Sequence, residues 1–200
     1  NGGGMYLIES DPKLINVTIE SNGNCMFLSA SNPILVNSIM WSNGLTNAIY
    51  LDDGDEEPII IYSNIDGGWE GEGNIDADPQ FTDPDNGDYH LSAYSPCIGA
   101  GTLTGAPTTD IEGNPRPNPA GSTPDMGAYE NARSEPLPHN TKIYVSTNGN
   151  DNTVGLSTAP FATIQAAIDY SQDSDTVLVA AGTYLENINF NGKNIVVQGE

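Results

Sequence analysis

PKLINVTIESNG (residues 12–23) and PILVNSIMWSNG (residues 33–44) share an opening proline, an internal asparagine and a closing Ser-Asn-Gly. At that spacing Pro12 coincides with Pro33, Leu14 with Leu35, Asn16 with Asn37, and Ser21-Asn22-Gly23 with Ser42-Asn43-Gly44. Ile19 and Ile39 agree to within one position. Self-similarity at a fixed period of about 20–50 residues marks a stacked-repeat architecture.

Working outward, three comparable rungs emerge. Each opens on a short apolar run: GMYLIES (4–10), CMFLSAS (25–31) and AIYLDDG (48–54). Each then crosses a polar turn ending in Pro12, Pro33 or Pro58 and enters a second run, KLINVTI, ILVNSIM or IIIYSNI. Short apolar and β-branched runs bounded by Gly, Asn and Pro are strands, not helices. Right-handed returns bring each rung back parallel to the last, with neighbours about 4.8 Å apart. A single rung cannot bury its own apolar face, so stability comes from stacking. The expected fold is all-β, a right-handed parallel β-helix.

Stacking places equal positions over one another. Asn16 above Asn37 makes a corner ladder of side-chain amides that ends where the third rung carries Tyr62, while Met5, Met26 and Ile49 fill the interior. Tyr6, Phe27 and Tyr50 recur at one position per rung. Facing out, they form an aromatic strip that could hold sugar rings; facing in, they are core, which is the weightier reading. Alternation puts Met5 and Leu7 on the opposite face from the strip.

After Ile65 the repeat fades. DGGWEGEGNIDADPQFTDPDNGDYHLSAYSPCIGAG (66–101) and DIEGNPRPNPAGSTPDMGAYE (110–130) are too rich in Gly and Pro for clean strands. They are expected to terminate the coil by covering its C-terminal end. ARSEPLPHN (132–140) is a linker in composition. From Thr141 the sequence begins again with the strand KIYVSTNG. A helix is expected over 160–172, with Pro160 in its first turn and Phe161, Ile164, Ala167 and Ile168 as its apolar stripe. Three short strands follow in residues 175–200, with turns at Gly182 and Gly192. The domain expectation is therefore 1–131, a linker at 132–140, and 141–200.

Composition narrows the partners. Against 27 acidic side chains stand 5 basic ones, for a formal charge of −22. Phosphate binding needs Lys and Arg to replace counterions, so nucleic acid and anionic lipid are excluded as expected partners. No apolar run is long enough to span a bilayer, and no membrane insertion is expected. Cys25 and Cys97 read as two buried small hydrophobes, with a disulfide open to them outside the cell. Acidic loops leave carboxylates for hard cations: Asp76, Asp78, Asp83, Asp85 and Asp88 in one, Asp52, Asp53 and Asp55 in another, and Asn148–Asn152 in a third. Ca²⁺ is the cation such loops would suit, although neither acidic run has EF-hand spacing. The plainer reading is that these carboxylates close turns through Asx hydrogen bonds.

DADPQFTDPDNGDYHLSAYSPCIGAG, DIEGNPRPNP and PDMGAYE, within 74–130, resemble the C-terminal end of the bacterial surface proteins called choice-of-anchor Q domain proteins. IYVSTNGNDNTVGLSTAPFATIQAAID, DTVLVAAGTYLENINF and KNIVVQGE, within 142–200, resemble the N-terminal cap and opening strands of pectate-lyase-like β-helices. The resemblance implies an extracellular or cell-surface protein. It also inverts the usual order, since rungs and an end precede a start. Asn1 is not a natural start, so a processed or excised chain is expected. Asn1, Gly2, Gly3, Gly4 and Met5 at one limit, and Ile195, Val196, Val197 and Gln198 at the other, would then be raw solenoid edges open to self-association, and a head-to-tail contact that does not close gives a filament.

Lyase chemistry of the resembled kind needs Ca²⁺ on carboxylates beside an Arg or Lys that removes a proton. Arg116, Arg133, Lys13, Lys142 and Lys193 are scattered, and His90 and His139 stand singly. No nucleophile motif is present. The Asn16-Val17-Thr18 sequon falls in a packed corner. The expectation is a non-catalytic structural module whose partner is a copy of itself; the alternative is a carbohydrate-binding or polysaccharide-degrading β-helix that takes glycans.

Overall fold

The computed structural model describes residues 4–20, 24–41, 48–52 and 57–200. It divides into two units, Asn1–Leu137 and Pro138–Glu200. Among the described residues fourteen strands are assigned. In the first unit they are β1 (Met5–Ile8), β2 (Lys13–Ile15), β3 (Thr18–Glu20), β4 (Met26–Ser29), β5 (Ile34–Val36), β6 (Ile39–Trp41), β7 (Ile49–Leu51), β8 (Ile59–Ile61), β9 (Asn64–Ile65), β10 (Phe81–Asp83) and β11 (Asp88–Leu91). In the second they are β12 (Lys142–Val145), β13 (Thr176–Val179) and β14 (Val196–Gly199), with one helix, α1 (Ile164–Tyr170).

The rungs in the first unit stack as the repeat requires. Three parallel sheets, β1-β4-β7, β2-β5-β8 and β3-β6-β9, form the walls of the coil. Met5 lies over Met26 and Ile49, and Leu14 over Leu35 and Ile60. Met26, Leu28, Leu35, Met40, Ile49, Ile60 and Ile65 fill the interior. Both cysteines are buried and free, so the hydrophobe reading holds and the disulfide does not form.

The corner between the second and third sheets turns through strained backbone. Asn16 (φ 52°), Asn37 (φ 52°) and Tyr62 (φ 49°) all take left-handed conformations, which asparagine tolerates better than other non-glycine residues. The Asn37 amide donates to Asn16 Oδ1 at 3.3 Å, the expected ladder. A second ladder lies beside it. The Val17 N–H donates to Ser38 Oγ, the Ser38 N–H to Ser63 Oγ, and the Ser63 N–H to Asn74 Oδ1. Each side chain thus closes the backbone donor of the rung below, and Ser38 and Ser63 are fully buried.

The terminating segment does more than cover an end. Residues 71–76 lie along the third rung, where Ile75 bridges Asn64 in parallel, the Tyr62 N–H donates to Glu72 O and the Ile75 N–H to Ser63 O. This short stretch closes the stack. The remainder runs back along the flank, which the sequence does not suggest. The Asn16 amide donates to Asp125 O and Gly127 O, the Asn37 amide to Thr102 O, and the Ala128 N–H to Thr18 Oγ1. Gly127 must be glycine: its φ is 90°, and a Cβ there would stand 2.7 Å from both Ile39 Cδ1 and Thr18 Oγ1.

A buried ionic knot fixes this flank. Arg116 Nε donates to Glu130 Oε2 at 2.7 Å, both side chains being almost wholly enclosed. Glu130 also accepts the Asn118 and Asp125 N–H groups. Asp125 accepts the Gly99 and Asn131 N–H groups. Burial, reinforced by the nearby Glu130, pushes the Asp125 carboxyl up to about 7 against those two donors and the Arg116 charge.

The second unit is a three-stranded parallel sheet, β12-β13-β14, against which α1 packs through Ala167. Two expectations are corrected. The helix covers Ile164–Tyr170, not 160–172: Phe161 bridges Val145 as a strand residue, and Thr163 is the N-cap. Asp151 accepts the Ala162 and Thr163 N–H groups, and Glu186 those of Ile164 and Gln165, so side chains from elsewhere set the helix start. Between Gly182 and Gly192 there is no strand; Leu185, Ile188 and Phe190 lie exposed.

Asn37→Ala should destabilise the first unit by roughly 3 kcal/mol, from unsatisfied buried partners plus left-handed strain, read by urea denaturation. Arg116→Met should cost about 3–5 kcal/mol by leaving a buried carboxylate unpaired, whereas Arg133→Met, at an exposed position, should stay within about 0.5 kcal/mol.

Candidate functional site

The aromatic strip faces outward, against the weightier sequence reading. Tyr6 is 62% exposed and Tyr50 47%, because the pleat sends their neighbours Met5, Leu7, Met26 and Leu28 inward. The rings stack on one another: Tyr6 to Phe27 at 4.4 Å and 10° between planes, and Phe27 to Tyr50 at 5.0 Å and 14°. Phe27 thereby has both ring faces covered, and Tyr6 and Tyr50 have one each. Sugar stacking needs a free ring face, so the outward strip suits rung-to-rung cohesion better than a glycan platform.

The acidic loops resolve into turn closures. Asp76 accepts the Gly67 N–H, Asp78 the Gln80 N–H, and Asp83 the Asn86 side-chain amide. Asp85 lies in the first turn of the 3-10 helix Pro84–Asn86, and Asp88 bonds to His90. Asp52 accepts the Ser29 hydroxyl; Asp53 and Asp55 lie outside the described residues. Among the described residues, no group of three or more His, Cys, Asp or Glu side chains is placed to hold a metal ion. The Asp151 of the third loop serves the helix start instead.

Two of the five basic side chains and both histidines are engaged. Arg116 is interior, and Lys193 Nζ donates to the Ile168 and Asp169 carbonyls at the end of α1. His90 does not stand alone. Its Nδ1 lies 2.6 Å from Asp88 Oδ1 and its Nε2 lies 3.1 Å from Glu112 Oε2, while its ring packs on Tyr129 at 4.2 Å. Hydrogen bonds from the His90 ring to the Asp88 carboxylate and then to Glu112 raise the His90 pKa, and the same bond lowers that of Asp88. Both nitrogens can donate only when the ring is protonated. The pair 88/90 is visible in sequence; Glu112, 22 positions on, is not. His139 likewise meets Asp175, at 2.5 Å.

Of the expected association residues, Gly4, Met5, Ile195, Val196, Val197 and Gln198 are described, and Asn1, Gly2 and Gly3 lie outside the described residues. Met5 and Leu7 are only partly covered by the core beside them. Val196 is 52% exposed. β1, β2 and β3 form one edge of the coil in the first unit, and β14 is an edge of the sheet in the second.

Because a raised His pKa stabilises the fold below its ordinary value and loses that contribution as pH rises through the folded value, the stability difference between wild type and His90→Gln should shrink as pH rises from about 5 to about 8. Thermal melts at several pH values and the His90 ring resonances in NMR would read this.

A family described as a protein of unknown function (DUF1565), and associated with parallel β-helix proteins, matches residues 147–191. No curated protein and no solved structure matches the chain. The family match is confined to part of the second unit and accords with the β-solenoid fold.

Proposed function

We propose that the chain is a non-catalytic structural portion of an extracellular or cell-surface β-helix, and that its coil edges pair with further coils, a second copy of the chain being the partner. The observation that carries this is the polarity of the two edges. In the first unit the third rung is covered by residues 71–76, whereas among the described residues nothing pairs the outer edge of β1, β2 and β3. In the second unit the outer edge of β12 is covered, since the Phe161 N–H donates to Tyr144 O and the Ser146 N–H to Phe161 O. There β14 pairs β13 on one side, and among the described residues nothing pairs its other side. Among the described residues, then, one unit presents an unpaired first-rung edge and the other an unpaired β14 edge, and edges of these two kinds are complementary for stacking on a further coil.

The side-chain patterns agree with that reading. Val197 continues the inward column of Ile143 and Val177, as Met5 and Leu7 begin inward columns in the first rung. The stacked Tyr6–Phe27–Tyr50 ladder begins at the open edge, where Tyr6 lacks a further ring on its outer side among the described residues. A glycan-binding role for that strip is the weaker reading, because the rings occupy one another's faces.

Negative-stain electron microscopy and sedimentation velocity of the purified chain test the pairing. Filaments with a regular axial repeat are expected, lost in Val197→Asp, with the folded state checked by circular dichroism. Loss on adding EDTA would bring Ca²⁺ at the Asp76–Asp88 loop into the contact. Monodisperse single chains at all concentrations would overturn self-pairing.

A further inference from the structure

One imidazole holds two acidic segments of the flank together. β10 and β11 form an antiparallel hairpin that turns through the 3-10 helix Pro84–Asn86. Leu91 fixes the base of the hairpin: its side chain packs with Ile39, Cys97, Ile98 and Met126, and its carbonyl accepts the Asn131 amide. Residues 110–114 form a separate closed turn. There the Asp110 N–H donates to Asn114 O, Asp110 Oδ1 accepts the Glu112 and Asn114 N–H groups, and the Ile111 N–H donates to Ala128 O. Glu112 reaches from that turn to His90, the residue beside Leu91.

The carboxylates on the two sides carry one sign. On the hairpin, Asp88 stands two residues from His90 and lies opposite Asp83 across the strands. On the turn, Glu112 shares the Asn114 amide with Asp110. Tyr129 contributes a ring at 4.2 Å, and Thr82 of β10 donates its hydroxyl to the His90 carbonyl. Arg116 is committed to Glu130 and to Gly127 O. Among the described ion pairs, the His90 ring is therefore the one group that places positive charge between Asp88 and Glu112.

Donor counting gives the direction of the effect. An ionised carboxylate only accepts, so the Asp88 contact at Nδ1 and the Glu112 contact at Nε2 are both hydrogen bonds only while both ring nitrogens carry protons. Losing one proton leaves a lone pair facing a carboxylate, with two negative charges flanking a neutral ring. Asp88 keeps its place, because its Oδ1 also accepts the His90 N–H at 3.1 Å. Glu112 has the longer bond to the ring, is half exposed, and is otherwise held by a 3.4 Å contact from Asn114 of its own turn. Space is open beside it, since a Cβ built at Gly113 would meet nothing within 4 Å. We propose that His90 is a pH-operated clasp: protonated, it fastens the 110–114 turn to β11, and on losing its proton it releases Glu112 while the base of the hairpin stays in place. The bonds to Asp88 and then to Glu112 favour the charged ring, so release falls above the ordinary histidine value. Neither His90 nor Glu112 lies in β1, β2, β3 or β14, so the clasp stands or falls independently of coil pairing.

Solution NMR from about pH 5 to about pH 9 tests the clasp, with Val197→Asp introduced wherever filaments broaden the spectra. Ring nitrogen shifts report the protonation state of His90, and NOEs from the ring to the Glu112 side chain report the contact. That NOE should be lost with the same midpoint as ring deprotonation, while the NOEs of Asp88 and Leu91 persist. Glu112→Gln supplies a side chain that can accept from a protonated ring nitrogen or donate to a bare one, so its contact should survive at both ends of the range. Glu112 is half exposed, so this variant folds. A Glu112 contact that outlasts deprotonation, release of Asp88 in place of Glu112, or loss of the contact in Glu112→Gln at either end of the range would overturn the proposal.

Discussion

Every coil in the first unit must turn sharply between its second and third strands, and it does so through one left-handed residue. That constraint organises much of what surrounds it. A non-glycine residue at φ near 50° is strained by roughly 1–2 kcal/mol, and the strain is tolerated because the residue also makes bonds nothing else there could make. Asn16 and Asn37 reach one another and the backbone of the returning segment. Tyr62 holds the same geometry in the last rung with a different partner, its hydroxyl donating to Glu72 at 2.7 Å. The corner is thus both the bend of the coil and the seam to its flank.

This seam explains the distribution of polar groups in the interior. Asn37, Ser38, Ser63, Asn64, Ser95 and Asp125 are wholly buried, an arrangement that would be costly in an ordinary core. Here each supplies hydrogen bonds that strands cannot make at a corner. Asn64 is a case in point: its amide donates to Ala77 O and to the Cys97 sulfur, joining the third rung to the flank. Apolar stacking supplies the bulk cohesion of the coil, and these bonds determine where the flank lies on it.

The repeat and its interior were legible because stacking copies one position onto the next: Pro12 with Pro33 and Asn16 with Asn37 announce the register that the strands adopt. The inward Met5–Met26–Ile49 column follows from the same rule. The facing of Tyr6, Phe27 and Tyr50 was not legible, since alternation separates two faces without saying which is inside. The left-handed corner at Glu9 and Ala30 escaped for a related reason, as the two residues share no chemistry. The helix start was misplaced because Pro160 is a common first-turn residue, while the groups that satisfy the actual start, Asp151 and Glu186, come from loops on either side. The flank contacts join residues some 65 to 111 positions apart, and no local pattern encodes that distance.

The reach of the flank has a consequence for the order in which the first unit is built. On a ribosome the three rungs emerge well before Gly127, the residue that fits between Thr18 and Ile39. At synthesis rates of about 5–20 residues per second, the Asn16 amide waits several seconds for its backbone partners. During that interval the corner column lacks its flank partners, and the coil is held by strand pairing and interior packing. The first rung, made earliest, is therefore among the last parts of the unit to be locked. Such long-range closure slows folding relative to local contacts, and it makes the arrival of the Asp125–Gly127 turn the event that converts a loose stack into a finished one.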